Sequence, residues 1–325
     1  MRHRAAALIL LFAAATPAAA RDPLFTPPLH CGADQGCFIP RYVDADPGPG
    51  VADFMCGPLT GDGHKGTDFA IASRADMDAG VAVYAAAPGT VRAVRDGEDD
   101  AALTTGQTAP AGRECGNGVV VSHGDGWETQ YCHLRNGSVA VQQGQRVGAA
   151  TVLGQVGLSG ETSFPHVHMS VRHDGRVVDP FAPAAEAQCG QPATGSLWKD
   201  PPTYRPGGLI SAGFSTAIPG FDAVKAGTAS VASLSADAPA LVFWAYAFMG
   251  RAGDEIVLRI DGPLGPVIAE KVTVETGQPL FFRAAGRRTP AGGWPAGQYL
   301  GTVDYLRNGV SLGRRETALS VGDGG

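Results

Sequence analysis

Two histidines separated by a single residue have the clearest chemical potential in this sequence. His166 and His168 lie in the segment 164–171, where polar and apolar side chains alternate. Strict alternation predicts a strand with one buried face, so both imidazoles and Ser170 are expected together on its other face. Two neutral imidazoles at this spacing suit a metal centre, or one metal ligand beside one acid–base group. Either role requires further metal ligands from other parts of the chain.

His64 and Asp68 are the natural candidates for those ligands. Gly66 and the β-rich run at 69–71 favour a strand or turn over a helix, and an even offset keeps both side chains on one face of a strand. Imidazole and carboxylate are ordinary zinc ligands, and a hydrolytic zinc site needs three protein ligands and an open position. The chain has no HExxH motif, and its histidine strand has no carboxylate, so the base must be another residue.

His133 is a further histidine, and it lies in the second strand of a predicted hairpin. Apolar and alternating segments flank a turn at 123–126, which is typical of two paired strands. Cys115 and Cys132 then fall roughly opposite each other, and we expect them to form a disulfide. Cys132 points away from the face that carries His133, so it is predicted to be half of a cystine and not a ligand.

The N-terminus predicts export. Arg2 and Arg4 precede an apolar run at 5–15 that is too short to span a bilayer, and small residues follow at 18–20. We therefore expect a signal peptide over 1–20 and a periplasmic or secreted mature chain without a membrane span. Six cysteines in an exported chain are first interpreted as three disulfides. They are Cys31, Cys37, Cys56, Cys115, Cys132 and Cys189.

Composition and charge exclude several other classes of protein. The chain has 325 residues, 44% of them hydrophobic and 17% charged, which is typical of a globular protein long enough for two domains. The formal net charge is −6 and no basic stripe is visible, so nucleic acid is not an expected partner.

Short, regularly spaced strands predict an all-β protein with several segments. After the signal peptide, we expect an N-terminal extension at 21–56, a domain at 57–189 that holds the histidines, and a linker at 190–208. Residues 209–325 repeat short apolar strands and turns, which indicates a C-terminal β-sandwich, expected to be Ig-like. No catalytic cluster is visible in that second domain, so docking, binding to a protein partner or spacing are its possible roles.

Three motifs in order give a resemblance to a known family. They are His64-Lys65-Gly66-Thr67-Asp68, Tyr131-Cys132-His133-Leu134 and His166-Val167-His168. They resemble the HxxxD, xH and HxH motifs of the lysostaphin-type, or LytM-like, zinc metallopeptidases. The sequence that flanks the motifs extends the resemblance over about 57–182. The approach to the last motif, Ser159–Pro165, is shorter and less glycine-rich than usual, which we expect to affect substrate preference.

The resemblance implies an antiparallel β fold with a narrow groove, and it implies roles for five residues. His64, Asp68 and His168 are expected to bind zinc, whereas His133 and His166 are expected to handle the proton and stabilise the tetrahedral intermediate. The implied function is a zinc endopeptidase that cuts peptides of bacterial peptidoglycan. One alternative is a non-catalytic regulator on the same fold that activates a separate cell-wall hydrolase. Another is a peptidase that acts on a protein substrate.

Overall fold

The computed structural model describes residues 22–30, 36–101, 107–184 and 195–322, and within them β-strands make up nearly all of the regular secondary structure. The predicted signal peptide lies outside the described residues. The elements of the N-terminal part are β1 (Phe38–Arg41), β2 (Thr67–Ala70), α1 (Arg74–Ala79), β3 (Ala82–Tyr84), β4 (Gly89–Arg95), β5 (Asn117–Gly124), β6 (Trp127–Leu134), β7 (Arg146–Val147), β8 (Val152–Gln155), β9 (His166–His173) and β10 (Arg176–Val178). The all-β prediction is confirmed.

One large antiparallel sheet organises the N-terminal part. Its strand order is β1-β2-β9-β6-β5-β4-β7, with β10 paired to β9, while β3 and β8 form a separate two-stranded sheet. The central strand β9 alternates as its sequence predicts. Val167, Met169 and Val171 are almost fully buried in the core, whereas the histidines lie on the opposite face. That opposite face is the floor of a cleft, so His166 and Ser170 are also largely covered.

The predicted hairpin and its disulfide are both present. Strands β5 and β6 pair antiparallel, and Cys115 is bonded to Cys132. Cys37 and Cys56 are each half of a disulfide. Cys31 and Cys189 lie outside the described residues, so the expectation of three disulfides stays a prediction.

The C-terminal part is a sandwich of two sheets. Its elements are β11 (Gly208–Ser215), α2 (Phe221–Ala226), β12 (Ser233–Ser235), β13 (Ala240–Gly250), β14 (Glu255–Gly262), β15 (Gly265–Thr273), β16 (Gln278–Arg288), β17 (Gly297–Arg307) and β18 (Val310–Gly322). One sheet has the order β11-β13-β16 and the other β12-β18-β17-β14-β15. All of these pairs are antiparallel except β12 with β18. That the sandwich is Ig-like stays a prediction.

Strand β13 is buried on both of its faces, and this joins the two parts of the molecule. Leu241 and Phe243 face the interior of the sandwich, while Trp244, Tyr246 and Phe248 belong to the core of the N-terminal part. The ring centroid of Phe248 lies 4.8 Å from that of Phe38 on β1. A strand covered on both faces is expected to be continuously apolar, as the run at 241–249 is. The N-terminal part and the C-terminal sandwich are therefore joined by a packed interface as well as by a linker.

No helix in the described ranges is both long enough and apolar enough to cross a membrane.

Candidate metal centre

Three side chains from two motifs converge at one point on the cleft floor. His64 Nε2 lies 3.2 Å from Asp68 Oδ1 and 3.1 Å from His168 Nδ1, and the His168 nitrogen lies 2.8 Å from the same carboxylate oxygen. Ligand atoms around a tetrahedral zinc ion are roughly 3.3 Å apart, given bond lengths of about 2.0–2.1 Å. The triangle formed by these three atoms has the size that such an ion requires.

Strand register and one glycine bring these ligands together. Asp68 on β2 is the direct cross-strand partner of His168 on β9, and His64 enters from the segment that precedes β2. Gly66 lies between the two ligands of the first motif, where a Cβ atom would come within 2.6 Å of His168 Nε2 and of the Met169 carbonyl oxygen. A side chain at position 66 would therefore displace His168, which explains why glycine stands there.

Hydrogen bonds to neighbouring groups fix the ring nitrogen that each ligand presents. The Nδ1–H of His64 donates to the Tyr42 carbonyl oxygen at 2.7 Å, which leaves Nε2 bare. The Nε2–H of His168 donates to Ser170 Oγ at 3.1 Å, and that hydroxyl donates to the Lys65 carbonyl oxygen at 2.8 Å. These tautomers follow from the acceptors present, and each leaves a lone pair directed at the shared point.

The two remaining histidines of the motifs lie beside this triangle. The Nδ1–H of His133 donates to the Ser159 carbonyl oxygen at 2.8 Å, and that of His166 donates to the Phe164 carbonyl oxygen at 2.9 Å. Their ring centroids are 4.7 Å apart, and His166 Nε2 lies 3.5 Å from Asp68 Oδ1. Both imidazoles thus keep their Nε2 lone pairs available, as a group that accepts a proton must.

Electrostatics keep the carboxylate charged and the two flanking imidazoles neutral. Burial opposes ionisation of Asp68, but the imidazoles of His166 and His64 and the hydrogen bonds of His168 and His64 hold its pKa well below the usual range. Burial, together with the neighbouring His166 and His168, lowers the pKa of His133 to about 3. Burial likewise lowers the pKa of His166, although Asp68 acts in the opposite direction.

The donor set fits a bound cation. Lone pairs of His64, His168 and His166 all approach the Asp68 carboxylate, and within the described ranges the carboxylate has no lysine or arginine partner. A buried charge surrounded by acceptors is costly unless a proton or a cation neutralises it. The three atoms of His64, Asp68 and His168 lie within 4.8 Å of one another and form a group that could hold a metal ion.

The cleft above these residues has a volume of about 1350 Å³ and walls from distant parts of the chain. Its lining includes Gln107 and Glu114, which lie between β4 and β5, and the segment Glu161–Phe164. It also includes Pro40 and Arg41 of β1, several residues between Pro58 and Lys65, and residues of the C-terminal part.

All five residues selected from the sequence therefore meet in one site. Sequence reasoning did not find the groups that orient them. The carbonyl groups of Tyr42 and Ser159 act through the backbone and leave no signal in residue type. Ser170 was recognisable only as a polar neighbour on the histidine face. No local sequence pattern indicates the contribution of the C-terminal part to the cleft.

Comparisons with known proteins agree with the motifs. Residues 62–180 match the family model described as Peptidase family M23. The chain is 31% identical over 116 residues to the peptidoglycan DD-endopeptidase ShyA of Vibrio cholerae, which is 36% of this chain and 22% of that protein. It is 39% identical over 102 residues to the DD-carboxypeptidase/endopeptidase Mpg of Neisseria gonorrhoeae, which is 31% of this chain and 21% of that protein.

A third curated relative has a different description. The chain is 36% identical over 85 residues to the cell division protein DipM of Caulobacter vibrioides, which is 25% of this chain and 14% of that protein. The chain thus spans less than a quarter of the length of these curated relatives.

Two solved structures are similar to part of the chain. A zinc-containing peptidase from Vibrio cholerae is 25% identical, with a TM-score of 0.33 over 49% of this chain and 39% of that one. The catalytic domain of the M23 protein EnpA from Enterococcus faecalis, as a mutant, is also 25% identical. Its TM-score is 0.32 over 48% of this chain and 95% of that one.

Proposed function

Residues 62–180 form a domain of peptidase family M23, and from this premise we propose that the protein is an exported zinc metalloendopeptidase. Its proposed substrates are the peptide bonds of bacterial peptidoglycan, in particular stem-peptide cross-links. One observation carries the proposal: three ligand atoms of His64, Asp68 and His168 lie within 4.8 Å of one another, and two further imidazoles face the same point. One similar protein is named a peptidoglycan DD-endopeptidase and another a DD-carboxypeptidase/endopeptidase, and both names support the proposal.

The proposed roles follow from the hydrogen bonds. His64, Asp68 and His168 would hold the zinc ion, which would supply a Lewis acid for the peptide carbonyl and activate water. His133 and His166 are anchored through Nδ1, so each offers Nε2 to accept the proton of the attacking water or to stabilise the tetrahedral intermediate. A proton accepted there can then pass to the leaving amine.

Three further parts of the proposal concern location and organisation. Residues 1–20 are a signal peptide, and the mature chain acts in the periplasm or outside the cell. Residues 21–56 are an extension, 57–189 the peptidase domain, 190–208 a linker and 209–325 the β-sandwich. The disulfide between Cys115 and Cys132 supports an oxidising compartment.

A second candidate is a non-catalytic regulator of a separate cell-wall hydrolase. The similarity to a relative named a cell division protein favours it. The complete set of five histidine and aspartate side chains favours the peptidase, because a regulator needs neither the ligands nor the flanking imidazoles.

The deciding experiment uses purified peptidoglycan. The mature protein is incubated with it before and after removal of metal by a chelator, and with zinc restored, and released peptides are identified by mass spectrometry. We expect new termini within the stem peptides, loss of release without metal and recovery with zinc. Release at the full rate by the metal-free protein would contradict the mechanism. If the zinc-loaded protein releases nothing yet stimulates another hydrolase, the regulator is correct.

A further inference from the structure

The C-terminal sandwich reaches into the cleft of the peptidase domain. Two of its segments, Met249–Arg251 and Gly277–Leu280, line the same cleft as His64 and His168. They belong to the turn after β13 and to the start of β16, so they lie at one end of the three-stranded sheet. A domain that served only as a distant anchor would not need to supply a wall of the cleft.

The turn at 249–251 is held rigidly from within the sandwich. Met249 has a φ of +54°, a backbone conformation that costs energy in a residue with a side chain. Its carbonyl oxygen accepts hydrogen bonds from Arg307 Nη2 at 2.7 Å and from the Tyr305 hydroxyl at 3.2 Å. The backbone N–H of Arg251 donates to Asp254 Oδ2 at 2.8 Å, and Asp254 is itself paired with Arg307.

This cluster fixes the backbone of the turn but leaves the Arg251 side chain exposed. Asp254 is buried and accepts hydrogen bonds from Arg307 and Tyr305. Its carboxylate therefore bonds the backbone of the turn and not the guanidinium of Arg251. No carboxylate in the described ranges forms an ion pair with Arg251. A rigid backbone that carries an unpaired guanidinium group is the arrangement expected of a preorganised binding site for an anionic ligand.

Arg41 provides a second cation in the lining of the cleft. It is the cross-strand partner of Asp68, so its Cα lies about 4.5–5.5 Å from that of a proposed metal ligand. Arg41 and Arg251 each follow by three residues one of the two rings, Phe38 and Phe248, that touch across the interface. Arg41 is also exposed and has no carboxylate partner in the described part of the chain.

We propose that Arg251 and Arg41, one from each domain, form a carboxylate-binding subsite that positions the peptide in the cleft. The proposal rests on the peptidase function proposed above and makes the C-terminal sandwich part of substrate recognition. The ligand class is a peptide with a free carboxylate near the bond to be cut. Two unpaired guanidinium groups in a cleft attract such a group even though the protein is acidic as a whole.

The test measures binding separately from hydrolysis. The full mature chain with His166→Ala and bound zinc is titrated against two dye-labelled, cross-linked stem peptides by fluorescence anisotropy. One peptide has free carboxylates and the other has every carboxylate converted to a carboxamide. Arg251→Gln and Arg41→Gln are each expected to weaken binding of the free-acid peptide about 5- to 20-fold and to leave the amidated peptide unchanged.

Arg287→Gln is the matched control. Arg287 is exposed and lies on β16, the strand that begins in the cleft, but it stands nine residues from Gln278 and thus roughly 30 Å away. We expect it to bind both peptides like the parent protein. Equal binding of both peptides by the parent, or an equal loss in Arg287→Gln, would overturn the subsite.

Failure of the proposed function is visible separately. If the protein with all histidines intact cleaves no peptidoglycan, but binding still depends on the carboxylates and on Arg251, the peptidase proposal fails and the subsite stands. Arg251 is exposed, so unchanged melting temperatures of its variants show that any loss of affinity is not a loss of fold.

Discussion

At the scale of single residues, His166 and His168 are two positions apart on one strand and yet have different partners. His168 presents Nδ1 to His64 and Asp68, whereas His166 lies against His133 and presents Nε2 to the edge of the same site. Their substitution should therefore separate metal binding from turnover.

His168→Ala is expected to lower zinc affinity by more than about 100-fold, because it removes one of three ligands. His166→Ala is expected to retain zinc and to lower kcat roughly 10²- to 10⁴-fold, the usual contribution of a group that transfers a proton. Metal analysis after dialysis and the rate of peptide release check both expectations. Equal zinc contents in the two variants would contradict the division of roles.

Gly66 gives a prediction about a residue that touches no substrate. Gly66→Ala places a Cβ within 2.6 Å of His168 Nε2, so the imidazole must shift and its bond to Ser170 must weaken. We expect zinc affinity to fall about 10- to 100-fold, as when other groups that orient a ligand are altered. Gly61→Ala is the control, since nothing lies within 4 Å of a Cβ there. Competition with a coloured zinc chelator measures both, and equal affinities would refute the argument.

Asp179 gives a prediction about pH. Burial, opposed by the hydrogen bond from the Phe181 N–H, raises its pKa to about 6, and its buried Oδ2 has no hydrogen-bond partner among the described residues. The folded state therefore holds this proton more tightly than the unfolded state. Its contribution to stability is complete below about pH 4 and is lost as the pH rises to about 6.

Relative to Asp179→Asn, the parent protein should lose roughly 1–3 kcal/mol of unfolding free energy between these pH values. Denaturant unfolding from pH 4 to 8 measures the difference, and the exposed Asp261→Asn serves as the control. A difference between parent and Asp179→Asn that does not change with pH would show that Asp179 does not titrate in this range.

At the scale of elements, sequence patterns predict two kinds of strand. One kind has one polar and one apolar face, and the other kind is apolar on both faces. The alternation on β9 predicts its histidine face, and the continuous apolar run predicts β13. Strand β11 has neither pattern, because Gly208, Ser211 and Gly213 interrupt its apolar residues. Gly213 is needed there because a Cβ would lie 2.8 Å from the Trp244 ring, a contact between strands that no local pattern reveals.

The hairpin of β5 and β6 carries a prediction about stability. The disulfide between Cys115 and Cys132 closes a sequence separation of 17 residues, and the His133 N–H donates to the Cys115 carbonyl oxygen at 2.8 Å. Replacing both cysteines with serine should lower the unfolding free energy by about 3 kcal/mol through the lost restriction of the unfolded chain. Denaturant unfolding without a reductant measures this loss. A change below about 0.5 kcal/mol would mean that the native hairpin is strained by the bond or that the unfolded chain stays compact.

At the scale of the whole molecule, the two domains are expected to unfold as one unit. Trp244, Tyr246 and Phe248 of the sandwich belong to the same buried cluster as Phe38 and Phe69 of the peptidase domain. Separating the domains would expose these aromatic side chains to water, at roughly 1.5–3 kcal/mol for each fully buried large side chain. A cleft with walls from both domains also needs them in a fixed relation.

A double-mutant cycle on Phe38 and Phe248 tests this coupling. Their rings are 4.8 Å apart, and an aromatic pair contributes about 0.5–1.5 kcal/mol beyond its buried area. We expect a coupling energy of that size between Phe38→Ala and Phe248→Ala, together with one calorimetric transition for the parent protein. Phe38→Ala combined with Phe281→Ala, which lies in the interior of the sandwich, should be additive. Two separate transitions with additive effects at Phe38 and Phe248 would show independent domains, and the cleft wall at 249–251 would then be free to move away from the metal ligands.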